Sequence, residues 1–154
     1  MKKINSNLFK LAMKKFATGV TVITINKKDD FIGKTVNSFA SLSLEPPLIL
    51  FSLDKKASSL IDYKQSSYLG INILSKTQKN ISNYFSTKNP IWNKTKIFLS
   101  KNNIPMIKGS VANLNCKKIK IINQGDHVIF VCKINEILID KKKKPLIYLN
   151  SKYL

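Results

Sequence analysis

Residues 110–122 and 127–139 read as two long strands separated only by Asn123-Gln124-Gly125-Asp126, a turn signal. A strand pair of that length commits much of the chain to a sheet, and further strand patterns surround it. Residues 20–25 (VTVITI) are rich in β-branched side chains. Residues 31–38 follow a polar turn at 26–30 and can run on to Ser43, until Glu45-Pro46-Pro47 breaks the pairing, because neither proline can donate to a ladder. Residues 48–53 are apolar throughout, with the single exception of Ser52, and are expected to be buried on both faces. Residues 68–74 and 146–149 complete the strands.

Helical patterns are few and short. Residues 6–17 place Phe9, Ala12, Met13 and Phe16 at i, i+3, i+4, i+7, with Ser6 as cap and Gly19 as stop. Residues 58–64 form a second short helix. Ser75-Lys76-Thr77-Gln78 is a capping box opening a third that runs to Phe85 and puts Ile81, Tyr84 and Phe85 on one face. Strands do not alternate regularly with helices, which argues against a doubly wound fold, and neither a Gly-x-Gly-x-x-Gly fingerprint nor a Walker loop is present. The expectation is a mainly β (α+β) barrel or sandwich with peripheral short helices.

At 154 residues, 44% of them apolar, the chain reads as one domain spanning 1–154. No apolar run approaches the roughly 20 residues that span a bilayer. The N-terminus carries lysines but no continuous hydrophobic segment, so a cytoplasmic protein with no membrane association is expected. The net charge of +19 would suit nucleic acid, yet all 27 basic residues are lysine. A selected nucleic-acid surface would usually include arginine for bidentate and stacking contacts. The lysine, asparagine and isoleucine bias is what an AT-rich coding sequence yields, and no nucleic-acid partner is expected. Cys116 and Cys132 stand in apolar segments without metal spacing and read as buried thiols in a reducing compartment. A single histidine, His127, cannot build a histidine-based metal site, and no metal is expected.

Three segments carry candidate chemistry. Gly33-Lys34-Thr35-Val36-Asn37-Ser38-Phe39 combines a glycine that permits close approach with small hydroxyl and amide side chains that can lie along a flat ring. Asp54-Lys55-Lys56-Ala57-Ser58-Ser59 sits between a strand and a helix, where free N–H groups and lysines favour an anion, although Ser58 also suits a plain N-cap. Together, about 20 residues apart, they suit one phosphate-bearing ring cofactor touched at both ends. Gly125-Asp126-His127 offers an imidazole able to orient a second substrate. Residues 86–108, interrupted by Pro90 and Pro105, read as a long loop of the kind that often forms a lid.

These segments resemble the short flavin reductases that supply two-component monooxygenases, members of the FMN-binding split barrels. The resemblance is carried, in family order and over nearly the full length, by FATGVTVIT (16–24), GKTVNSFASLSLEPPL (33–48), DKKASSL (54–60), GINIL (70–74), ISNYF (81–85), GDH (125–127) and PLIYLNSKYL (145–154). It implies a six-stranded split β-barrel, a homodimer, and FMN or FAD near the dimer interface. It implies that NADH or NADPH passes a hydride from nicotinamide C4 to flavin N5, and that the reduced flavin serves a partner monooxygenase. It places Thr35, Val36, Asn37 and Ser38, with Ser52 and Asn72, beside the flavin, and Lys55, Lys56, Ser58 and Ser59 near its phosphate. It places His127 and Tyr148 by the nicotinamide. Where family members often carry arginine in the phosphate turn, this chain has Lys55 and Lys56. A flavin-binding module without reductase activity, a split-barrel oxidase acting on another small substrate, and a basic barrel binding single-stranded nucleic acid stand as alternatives.

Overall fold

The computed structural model describes residues 3–28, 30–88, 90 and 92–154. The expected turn at 26–30 and loop at 86–108 include Asp29, Asn89 and Ile91, which lie outside the described residues. Helix α1 (Ser6–Met13) comes first. Its cap is Asn5, not Ser6: the Asn5 side chain accepts from the Leu8 N–H at 2.8 Å. The helix stops well before Gly19, because Thr18–Gly19 form a short strand, β1, that pairs with the C-terminal segment.

The chain continues through β2 (Thr21–Lys27), β3 (Asp30–Val36), β4 (Ala40–Ser43) and β5 (Leu48–Asp54), the last two separated by the expected proline turn. Helix α2 (Leu60–Gln65) leads to β6 (Tyr68–Ile73). A 3-10 turn at Lys76–Gln78 opens α3 (Lys79–Phe85); here the capping box forms, with the Gln78 side chain accepting from the Ser75 N–H at 3.0 Å. Then come β7 (Ile97–Leu99), β8 (Pro105–Ile107), β9 (Ala112–Gln124), β10 (His127–Ile139), β11 (Ile147–Leu149) and β12 (Lys152–Tyr153).

One antiparallel sheet in the order β3-β2-β6-β9-β10-β5-β4 dominates, with β1-β11-β12 and β7-β8 as small satellites. The mainly β class with short helices holds. The expected count of six strands becomes seven in this sheet, because the run after Val36 bends and pairs again as β4, with a register shift between Ser41 and Ser43. No ladder joins the edge strands β3 and β4. The gap beside β5 is bridged by one side chain: the Ser38 hydroxyl donates to the Ser52 carbonyl at 2.9 Å and accepts from the Ser52 N–H at 3.0 Å.

The sheet wraps one apolar cluster. Phe51 and Phe130, cross-strand partners in β5 and β10, stack at 4.9 Å within it. Tyr63 enters from α2 and donates its hydroxyl to the Ile23 carbonyl at 2.8 Å. Strands β2 and β6 are buried on both faces, while β5 is not. The outer face of β2 is covered by a second cluster, in which Val20, Val22, Leu74, Phe85 and Ile107 pack with Trp92. In β5 only Ile49, Phe51 and Leu53 are buried, while Leu50, Ser52 and Asp54 look outward. Residues 86–108 also depart from expectation. Within them β7 and β8 form a hairpin whose Ile104, Met106 and Ile107 are buried against the sheet, so this segment is a core element rather than a lid.

Gly33 permits a close approach, and the Phe85 ring takes it. A Cβ there would stand 2.6 Å from two ring carbons of Phe85 and 3.1 Å from Trp92. Gly33→Ala is expected to cost about 1–3 kcal/mol through overpacking. A thermal melt reads this directly, and an unchanged midpoint would mean that the ring can yield.

Candidate functional site

Three clefts follow β3 and its continuation on the outside of the sheet. The largest, about 790 Å³, is lined by Asn37, Ser38 and Ser52, by Tyr148–Ser151, and by α1 through Phe9, Lys10, Met13 and Lys14. A middle cleft of about 280 Å³ is lined by Thr35, Val36, Asn37, Ser82, Tyr148 and Tyr153, so Asn37 and Tyr148 face both. A third, about 340 Å³, is lined by Gly33 and Lys34, by Ser58 and Ser59, and by Lys88, Asp30 and Asp62. At about 3.3 Å per residue, Lys34 to Ser38 spans about 13 Å.

Several polar groups here are already engaged. The Thr35 hydroxyl donates to the Ser82 carbonyl at 2.8 Å, and Ser82 meets the Tyr153 hydroxyl at 2.9 Å. Tyr148 and Tyr153 pack against each other at 5.3 Å. The Asn37 amide, exposed in the cleft, makes no hydrogen bond within the described residues. Thr18, which lines the large cleft, buries a hydroxyl without a hydrogen-bond partner. A free amide at Asn37 and a serine-lysine pocket at Lys34, Ser58 and Ser59 are groups suited to a polar-edged ring carrying a phosphate.

The expected site residues fall into three groups. Thr35, Val36, Asn37, Ser38, Ser52 and Tyr148 are brought together around the large and middle clefts. Ser58 and Ser59 share the third cleft with Lys34. Ser58 caps nothing; α2 starts after Ser59, whose side chain makes no cap bond. Lys55 and Lys56 do not line this cleft. The Lys55 ammonium donates to the Gly125 carbonyl at 2.6 Å, and Lys56 is exposed. The cations that reach it are Lys34 and Lys88. Asp62 is paired there with Lys27 at 2.7 Å.

Asn72 lines no cleft. It is fully buried, donating to the Val22 carbonyl at 3.0 Å and the Thr24 hydroxyl at 3.2 Å. Its Oδ1 accepts from the Ile107 N–H at 2.7 Å and the Asn113 amide at 2.8 Å. Every polar capacity is used internally, so the expected flavin contact is replaced by a structural knot.

His127 opens β10 opposite Asp54, while Ile129 lies opposite Ser52. Side chains two apart share a face, so His127 belongs to the outward face that carries Ser52, about 7 Å further along, and lines none of the three clefts. Its Nδ1 lies 2.7 Å from the Asp126 carboxylate, and this hydrogen bond holds the Asp126 carboxyl below its ordinary value. Cys116 and Cys132 are buried free thiols, and burial pushes Cys132 up to about 12, which leaves it protonated and inert.

Sequence reasoning missed Lys34, Thr18, Phe39 and the contribution of α1. Lys34 and Thr18 stood inside quoted motifs. The apolar spacing of α1 was legible, but no residue of the helix is buried, and its Phe9 and Met13 face the cleft instead of a core.

An antiparallel β domain with an open, hydroxyl- and amide-lined groove on its sheet is the scaffold of a small-molecule or cofactor-binding protein. The chain belongs to the flavin reductase like domain family, which matches it over residues 13–154. It is 35% identical over 130 residues to the FMN reductase (NADH) SmoA of Agrobacterium fabrum, covering 84% of this chain and 75% of that one. It is 30% identical over 145 residues to the reductase component of 4-hydroxyphenylacetate 3-monooxygenase of Thermus thermophilus, covering 94% and 93%. The solved flavin reductase PheA2 superposes with a TM-score of 0.90 at 35% identity, over 98% of this chain and 97% of that one.

Proposed function

We propose that this chain is an NAD(P)H:flavin oxidoreductase that reduces FMN or FAD and supplies the reduced flavin to a partner monooxygenase. The observation that carries the reading is the succession of clefts along one strand, with a free amide at Asn37 and a serine-lysine pocket at Lys34, Ser58 and Ser59. Its kinship to SmoA and to a monooxygenase reductase component supports both the reaction and the partner class. A bound flavin supplies the hydride-accepting chemistry, which the side chains of this protein lack.

The protein's own part is to hold and orient. The Asn37 amide and the backbone of 35–38 present donors and acceptors to a ring edge. Lys34 and Lys88 neutralise a phosphate beside the Ser58 and Ser59 hydroxyls. Tyr148, with Tyr153 behind it, gives a flat wall shared by two clefts. His127, held by Asp126 on the outward face that carries Ser52, is a positioning residue for the nicotinamide. His127→Ala is expected to slow NADH oxidation about ten- to a hundredfold while flavin still binds. Unchanged turnover would remove that role.

The finer architecture is read as a split barrel, supported by the Ser38–Ser52 bridge where no ladder closes the sheet. A homodimer is supported by Leu11, Leu44 and Ile147, exposed apolar side chains that line none of the three clefts. A cytoplasmic setting agrees with two buried unpaired thiols. Among the described residues no helix is long and apolar enough to cross a membrane.

The test is steady-state oxidation of NADH and NADPH by the purified chain with FMN and with FAD, followed by nicotinamide absorbance. Flavin-dependent oxidation is expected. A protein that binds FMN yet oxidises neither nucleotide would instead be a flavin-binding module.

A further inference from the structure

The large cleft holds more than the expected flavin residues require. One wall is α1, which places Phe9 and Met13 on the cleft as one i, i+4 pair and Lys10 and Lys14 as the next. Such pairs stand about 5–6 Å apart at Cβ, so an apolar stripe and a cationic stripe lie side by side. Among the described residues no carboxylate lines this cleft, in contrast to the third cleft with Asp30 and Asp62. Neither lysine makes an ion pair or a side-chain hydrogen bond among the described residues. The backbone at the C-cap of α1 is tied down beside this wall, the Asn150 N–H donating to the Lys14 carbonyl at 2.9 Å.

We propose that Lys10 and Lys14 recognise the diphosphate of the dinucleotide substrate, while Phe9 and Met13 give its apolar ring surface a place to rest. Two adjacent cations match two adjacent phosphates, and an unpaired pair in a carboxylate-free cleft is not neutralised by its surroundings. The inference rests on the oxidoreductase reading and deepens it, making α1 the determinant of affinity for a hydride donor that carries phosphates.

The test compares NADH with 1-benzyl-1,4-dihydronicotinamide, a hydride donor without phosphate, using saturating FMN, the full chain and the double variant Lys10→Ala/Lys14→Ala. Loss of charge-assisted contacts is expected to lower kcat/KM for NADH about tenfold or more, mainly through KM, with a clearly smaller loss for the benzyl donor. Lys10→Arg/Lys14→Arg is expected to recover most of the NADH efficiency, and the unmutated protein's KM for NADH is expected to rise with salt. Equal losses with both donors, no loss with NADH, or a weakened FMN Kd that accounts for the change would overturn this inference alone. Oxidation of neither donor by the unmutated protein would overturn the oxidoreductase reading and this inference with it.

Discussion

Replacing Asn72 by alanine is expected to remove about 3–5 kcal/mol of stability, a large share of what a domain of this size possesses. One amide ties together four strands. It donates to Val22 and Thr24 of β2 from its place in β6, and accepts from Ile107 of β8 and Asn113 of β9. Truncation leaves the buried Ile107 N–H without an acceptor and opens a void where β2, β6 and β8 meet. An unsatisfied buried group alone costs about 1–3 kcal/mol, and the low dielectric of the core raises the stakes of the whole network. Urea denaturation should show a lower midpoint with an unchanged slope. The folded fraction should keep an FMN affinity near that of the unmutated protein. The opposite pattern, intact stability with lost flavin binding, would return Asn72 to the cofactor site.

The second large effect is on flavin affinity. Lys34→Glu reverses the charge at a cleft that already holds Asp30 and Asp62 beside Ser58 and Ser59. Among the described residues Lys34 makes only a long contact to the Ser86 carbonyl, 3.4 Å, so its loss disturbs little of the fold. A charge-assisted contact to phosphate is worth about 1.5–3 kcal/mol, which corresponds to about 10- to 150-fold in the Kd for FMN. Riboflavin, which lacks the phosphate, should lose far less, and fluorescence titration measures both ligands. Equal weakening of FMN and riboflavin would mean that the phosphate does not sit between Lys34 and the serine turn. Lys56→Ala provides the contrast. Its side chain lies away from the cleft, and little change is expected.

Much of the backbone could be read before any coordinates. The β9–β10 hairpin turns at Gly125, whose φ of +55° is the left-handed conformation that a turn glycine supplies, as its Asn-Gln-Gly-Asp signal indicated. The capping box at Ser75–Gln78 and the proline turn after Ser43 formed as expected. The errors were of another kind. The 86–108 segment looked polar and loose, yet Ile104, Met106 and Ile107 are buried, and Ile104 and Met106 pack so close to Gly70 that a Cβ there would clash with Met106 and Thr24. The 48–53 run looked buried on both faces, but its outer face is only half-buried, and Ser52 on it lines the large cleft.

Local chemistry along the chain determined the strands, turns and caps, and the order of motifs marked the family, because each of these depends on residues within a few positions of one another. Tertiary structure alone decided which polar groups are spent and which are free. Asn72 and Asn37 are the same side chain. One closes bonds to residues 35 to 50 positions away, and the other faces an open cleft. Lys55 bonds a carbonyl 70 positions away, whereas Lys34 remains available to a ligand. A donor's availability depends on partners that only folding brings near, so no periodicity along the chain can encode it.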